Sequence, residues 1–143
     1  MKEEVEQFFD DYAAGFNSTL AGQIADVSDV RARFADFFVE SSPLGVIGKR
    51  NDESFADKIP QGYEFYKNAG ITSMDIVSKE ICIIDDFHAM ATIHWSSAFQ
   101  KKTGEAGTIE FDVTYFLNAK EGLKIFAYIT GDEEGALKEH GLL

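Results

Sequence analysis

The run Phe87-His88-Ala89-Met90-Ala91-Thr92-Ile93-His94-Trp95-Ser96-Ser97-Ala98-Phe99, followed after a polar break by Phe111-Asp112-Val113-Thr114-Tyr115-Phe116-Leu117, decides the fold class. Both stretches alternate with a period of two, which is the signature of strands buried on one face. In the first, the odd positions are Phe87, Ala89, Ala91, Ile93, Trp95, Ser97 and Phe99. The even ones are His88, Met90, Thr92, His94, Ser96 and Ala98. The odd face is the more apolar and is expected to turn inward. In the second stretch Phe111, Val113, Tyr115 and Leu117 again mark the odd face, against Glu110, Asp112, Thr114 and Phe116.

Working outward, the same period predicts strands over 73–84, 87–101, 108–118 and 123–130. Asp85-Asp86, Thr103-Gly104 and residues 118–122 connect them. Such short connections imply antiparallel hairpins. Upstream the period is helical. Val5, Phe8, Phe9, Tyr12, Ala13 and Phe16 fall on one stripe, fading near Asn17-Ser18, with Glu3, Glu4 and Glu6 favourably placed at the helix start. A short second helix is expected from Ser28 to Ala35 and an extended stretch from Phe37 to Ile47, broken at Ser42-Pro43. Phe55, Ile59, Tyr63 and Tyr66 then mark a third helix, which Pro60 should kink or restart, and which Asn68 to Gly70 should end. Asp132 can cap a last short helix through Leu137. Helices followed by hairpins define a single α+β domain over 1–143.

Hairpin geometry can reverse the inward face. A two-residue turn at Thr103-Gly104 would place Trp95 opposite Asp112 and Ile93 opposite Thr114. A three- or five-residue loop, or a bulge near Gly107, would restore odd with odd. Hydrophobic pattern favours Asp112 on the outer face, while the short turn would bring it inside.

Composition narrows the function. Net charge is −12, which argues against nucleic acid or an anionic membrane surface as partner. The lone Cys82 sits in Ile81-Cys82-Ile83-Ile84 and reads as an inert core thiol. The first residues lack the pattern of a signal peptide, and no segment has the length and apolarity of a membrane span, so a cytoplasmic setting is expected. His88 and His94 lie six residues apart on one strand face, about 20 Å, too far for one zinc with ligands at about 2 Å. No metal or other cofactor is expected. Gly104-Glu105-Ala106-Gly107 does not open a helix, so it is not a phosphate loop.

The order and spacing of these elements, with Phe111-Asp112-Val113-Thr114-Tyr115-Phe116 and then Lys124-Ile125-Phe126-Ala127-Tyr128, resemble the nuclear transport factor 2-like superfamily, in particular its ketosteroid isomerase and polyketide-cyclase-like branch. The resemblance implies a cone: a curved antiparallel sheet wrapped around the N-terminal helix, enclosing a pocket. It implies that Asp112 points into that pocket and, kept protonated by its apolar surroundings, donates a hydrogen bond to a developing oxyanion. It also matches Tyr12 to the family's helix-one tyrosine. The family's base aspartate precedes a proline after the second helix. Here that stretch is Val39-Glu40-Ser41-Ser42-Pro43, which puts serine at the base position or moves the carboxylate to Glu40.

Asp112 and Glu40 are therefore the candidate catalytic pair, Glu40 as a general base. Tyr12, Phe16, Tyr63, Tyr66 and Trp95 are expected to line the pocket, with Thr114 and Ile129 beside them. The expected ligand is a small apolar carbonyl compound, and the expected chemistry a cofactor-free isomerisation, cyclisation or dehydration. The alternative is a non-catalytic ligand-binding or oligomeric assembly domain. Either would pair as a homodimer through the outer sheet face, with Met90, His94 and Phe126 as contacts.

Overall fold

The computed structural model describes residues 1–143. Helix α1 (Lys2–Leu20) and the short α2 (Val27–Ala32) precede a hairpin of β1 (Phe34–Ser42) and β2 (Gly45–Arg50). Helix α3 (Glu53–Ala69) leads into β3 (Ile71–Ile83), β4 (His88–Gln100), β5 (Ala106–Asn118) and β6 (Lys124–Ile129), and α4 (Glu133–Glu139) closes the chain. The six strands form one sheet in the order β2-β1-β6-β5-β4-β3. Neighbours are antiparallel except β1 and β6, which run parallel. Local hairpin reasoning does not foresee that pairing, because it joins strands far apart in sequence. Bulges in β3, between Ile76 and Ser78, and at the β5–β6 step bend the sheet.

The β4–β5 register answers the question left by the sequence. Gln100 pairs with Ala106, leaving the five residues 101–105 in the turn, so Trp95 meets Phe111 and His94 meets Asp112. Odd faces odd. Ala89, Ala91, Ile93, Trp95, Val113, Tyr115 and Leu117 are all buried. Against them pack Val5, Phe9 and Ala13 of α1 in one core cluster. The helix itself lies closest to β3. Polar ties fix its position. The Asn17 side chain donates to the Met74 carbonyl at 2.9 Å and accepts from the Met74 amide at 2.7 Å. Lys79 reaches Asp10 at 2.6 Å.

Two local expectations change. Helix α3 runs through Pro60 without restarting, forgoing the hydrogen bond the Ala56 carbonyl would receive. Cys82 is exposed, because it pairs with Met90 on the outer face. The cysteine stands at an outward position of an alternating strand, and the neighbouring isoleucines disguise that in the sequence.

Gly70 ends α3 with φ +97°, and a Cβ there would meet the Gln100 carbonyl oxygen at 2.5 Å. Gly70→Ala should destabilise the fold by about 2 kcal/mol or more. A thermal melt should show a fall of roughly 5–10 °C; an unchanged Tm would contradict this close approach.

Candidate functional site

Toward its open end the sheet curls away from α1 and leaves a cavity in two lobes. The lobe under α4 has a volume of about 340 Å³ and that between α2, α3 and β2 about 510 Å³. Both are lined by Tyr12, Phe16, Phe34, Tyr66 and Tyr128, which form the waist between them. Tyr63 faces the larger lobe, while Trp95 and Tyr115 face the smaller. All five tyrosines of the chain thus line one interior. Burial raises the pKa of each above that of a free phenol, so each stays a neutral donor and acceptor.

Their hydroxyls differ in what they hold. Tyr128 donates to Glu40 Oε1 at 3.1 Å. The Tyr115 oxygen accepts from Trp95 Nε1 at 3.2 Å and has no protein acceptor for its own proton. Tyr115 is only 5% exposed. Tyr12, on α1, has no protein partner for its hydroxyl; its ring lies 6.3 Å from that of Tyr115 and 6.0 Å from Trp95. Tyr66 also faces this lobe and directs its hydroxyl toward Glu133, which leaves Tyr12 and Tyr115 as its two unspent O–H donors.

Two carboxyl groups join them. Glu40 sits on the inner face of β1, opposite Tyr128 of β6. Both its oxygens are occupied, one by Tyr128 and the other by the Lys49 ammonium at 3.3 Å. Glu133, the first residue of α4, stands at the cavity mouth. Its side chain is partly exposed to solvent, while protein atoms crowd its carboxyl. Burial raises its pKa above the ordinary carboxylic range, a hydrogen bond with Tyr66 pulls it down, the charge of Glu40 pushes it up, and burial dominates.

The sequence expectations divide cleanly. Tyr12, Phe16, Tyr63, Tyr66, Trp95 and Glu40 do meet around the cavity. Asp112, Thr114 and Ile129 do not. The five-residue turn puts Asp112 and Thr114 on the outer face. There Asp112 pairs with His94 at 2.6 Å, and Thr114 bonds Thr92 at 3.0 Å. Ile129 pairs with Thr114 on the same face and is exposed. His94, held by Asp112 and by Glu110 at 3.0 Å, has its pKa raised, mainly by these two hydrogen bonds. Asp112 thus lies in a surface pair with His94, away from the cavity.

Sequence reading missed Tyr115 and Glu133 as site residues. Tyr115 was legible as inward-facing, but nothing showed that its proton would lack an acceptor. Glu133 carried no local sign, because its place depends on how α4 folds back after β6.

A family model described as NTF2-like protein (DUF6841) matches residues 2–133. No curated protein matches the chain. Among solved structures, an NTF2-like protein with a cystatin-like fold from Novosphingobium aromaticivorans superposes with TM-score 0.70 at 13% identity, covering 99% of this chain and 88% of that one. A ketosteroid isomerase-like protein from Erwinia carotovora atroseptica gives TM-score 0.61 at 18% identity, covering 88% and 91%. Aln2 from a Streptomyces species gives 0.67 at 12% identity, covering 96% and 94%. At these identities the likeness is one of fold.

The raised Glu133 pKa has a readable sign. A carboxyl whose folded pKa lies above its unfolded value favours the folded state below the unfolded pKa, and that contribution is lost as pH rises through the folded pKa. Glu133→Gln should therefore raise Tm near pH 7 relative to the native protein, and the gain should vanish below about pH 4, under the ordinary Glu value. A gain independent of pH, or a loss at pH 7, would contradict a desolvated carboxyl there.

Proposed function

The chain belongs to the NTF2-like protein family DUF6841, and on that scaffold we propose that the cavity binds a small, largely apolar carbonyl compound and moves a proton on it. The observation that supports this reading is the pair of unspent hydroxyl protons of Tyr12 and Tyr115 in one aromatic lobe. A carbonyl oxygen is the acceptor that pair lacks. The Trp95 N–H, by donating to the Tyr115 oxygen, polarises its hydroxyl and makes it the better donor.

The proton goes to or from a carboxyl group. Both oxygens of Glu40 are engaged, so Glu40 orients Tyr128 and Lys49, and Glu133 acts as the proton carrier. A carboxylate with a raised pKa is the stronger base. It takes a proton from carbon α to the carbonyl. The C–H electron pair becomes a C=C bond, and the carbonyl π pair moves to oxygen, where the two tyrosine hydroxyls hold the charge. Returning the proton to another carbon isomerises the substrate; delivering it to a β-hydroxyl, which leaves as water while the enolate pair forms the new C=C bond, dehydrates it. No bound cofactor enters these steps.

A thermal-shift screen of cyclic and aromatic ketones tests this. A ligand at 100 times its Kd adds about 2.7 kcal/mol, a rise of roughly 5–10 °C at this size. Tyr115→Phe should weaken a hit by about fivefold, the worth of one hydrogen bond near 1 kcal/mol. Asp112→Asn should leave affinity unchanged. Glu133→Gln should keep binding and abolish turnover. Binding with no turnover in the native protein would support the non-catalytic alternative, and no hit at all would defeat the pocket reading.

We further propose that two copies pair through the outer sheet face. Phe37, Val39, Val46 and Ile129 are exposed there, and Met90, Phe116 and Phe126 continue the patch. Exposed apolar area of this extent marks an interaction surface. Light scattering at micromolar concentration should give twice the chain mass of 15.9 kDa, and Phe37→Asp should halve it. A monomer mass for the native protein would refute the pairing.

A further inference from the structure

The two lobes differ in charge. In the smaller lobe the charged residues are all acidic: Glu40, Asp132 and Glu133, while Glu110 at its edge turns its carboxylate outward to His94. The larger lobe holds Arg33, Lys49, Arg50 and Lys58, in a chain with only 13 basic residues against 25 acidic ones. Its three aspartates are already engaged. Asp26 and Asp52 accept helix-start amides, from Asp29 at 3.0 Å and Phe55 at 3.2 Å, and Asp29 pairs with Arg33 at 2.7 Å. Lys49 answers Glu40. Lys58 is left. It shares a stripe of α3 with Phe55, Ile59 and Gly62, all of which line this lobe, and no carboxylate lies within ion-pair distance of it. Between the lobes stand only the aromatic rings of the waist.

From this polarity we infer that the ligand is an elongated organic acid, its ring system in the tyrosine lobe and its carboxylate tail in the larger lobe beside Lys58. The inference deepens the pocket reading and rests on it. A single negative charge fits better than the two of a phosphate monoester, because Asp26, Asp29 and Asp52 border the same space and would repel the second. The apolar chain between ring and carboxylate crosses the waist, where Phe16, Phe34 and Tyr66 contribute contact area and ask for no hydrogen bond. Arg33, already bound to Asp29 and stacked 5.9 Å from the Tyr12 ring, keeps the tail lobe positive without needing to move. The same arrangement disfavours a cationic tail, which would meet the ammonium and guanidinium groups of this lobe.

Calorimetric titration with naphthylbutanoate and with its primary amide, equal in shape and different only in charge, tests the assignment. The acid should bind roughly three- to tenfold more tightly than the amide at low salt, the range of a partly exposed ion pair reinforced by neighbouring cations. The preference should shrink at high salt. Lys58→Gln should lower acid affinity toward that of the amide and leave the amide unchanged. Lys58 is exposed, so this variant should keep its melting temperature. Equal affinities for acid and amide in the native protein would overturn the inference and leave the pocket reading standing. A preference undiminished in Lys58→Gln would also overturn it, by moving the anion elsewhere. If neither compound binds and no ketone does, the pocket reading fails and this inference falls with it.

Discussion

The register between β4 and β5 is the constraint on which everything else in this molecule hangs. Because side chains alternate along a strand, a slip of one residue would turn every inward group outward. Five residues in the turn set Ile93 against Val113 and Trp95 against Phe111. That puts Ala89 and Ala91 in one core with Val5, Phe9 and Ala13 of α1, and Trp95 and Tyr115 on one inner face, where their N–H and hydroxyl meet. The same choice sends His94, Asp112 and Thr114 outside. Core, cavity and surface ion pair are three consequences of one loop length.

The cavity follows from what packs against the other end of the sheet. At the α1 end Val5, Phe9 and Ala13 fill the space to their neighbours. Toward β1 and β6 the curvature opens the sheet, and the residues available are rigid rings on α1, α3, β1 and β6. Rings such as Phe16 and Tyr63, 4.9 Å apart, or Phe34 and Phe38, 4.8 Å apart, pack well against each other and cannot collapse to fill the remaining volume. Buried hydroxyls would be costly there without partners. Tyr128 resolves this through Glu40, and Tyr115 half resolves it through Trp95. The half left over is the donor on which the proposed ligand binding rests. Such a group is tolerable in the free protein because the cavity admits water.

How much of this could be read from the chain depends on range. The alternation of Ala89, Ala91, Ile93 and Trp95 is local and was legible, as were the α1 stripe and the cap at Asp132. Even the helix through Pro60 was nearly so; packing of Phe55, Ile59 and Tyr63 on both sides of the proline outweighed one lost hydrogen bond. The parallel pairing of β1 with β6 was not legible, since Glu40 and Tyr128 are brought opposite each other by topology and no spacing records it. Family likeness misled at Asp112: a carboxylate at the expected place in the sequence still needs the turn that would aim it inward. Cys82 misled in the opposite way, because apolar neighbours on both sides hid a strand position that faces out.

Glu133 shows why the chemistry was the last thing to emerge. In sequence it is one of 25 acidic residues in a chain of net charge −12, on a short helix that caps the C-terminal region. Its distinction comes only from Leu137 of the same helix, which is buried against Ile71, Phe99 and Ile109 and so holds α4 across the cavity mouth. Anchoring a seven-residue helix by one leucine fixes the direction of its first turn, and with it the Glu133 carboxyl beside the aromatic lobe. The carboxyl proposed as proton carrier is thus positioned by an apolar contact one turn further along the same face of its own helix. Sequence reasoning based on carboxylate spacing alone has no access to that relation.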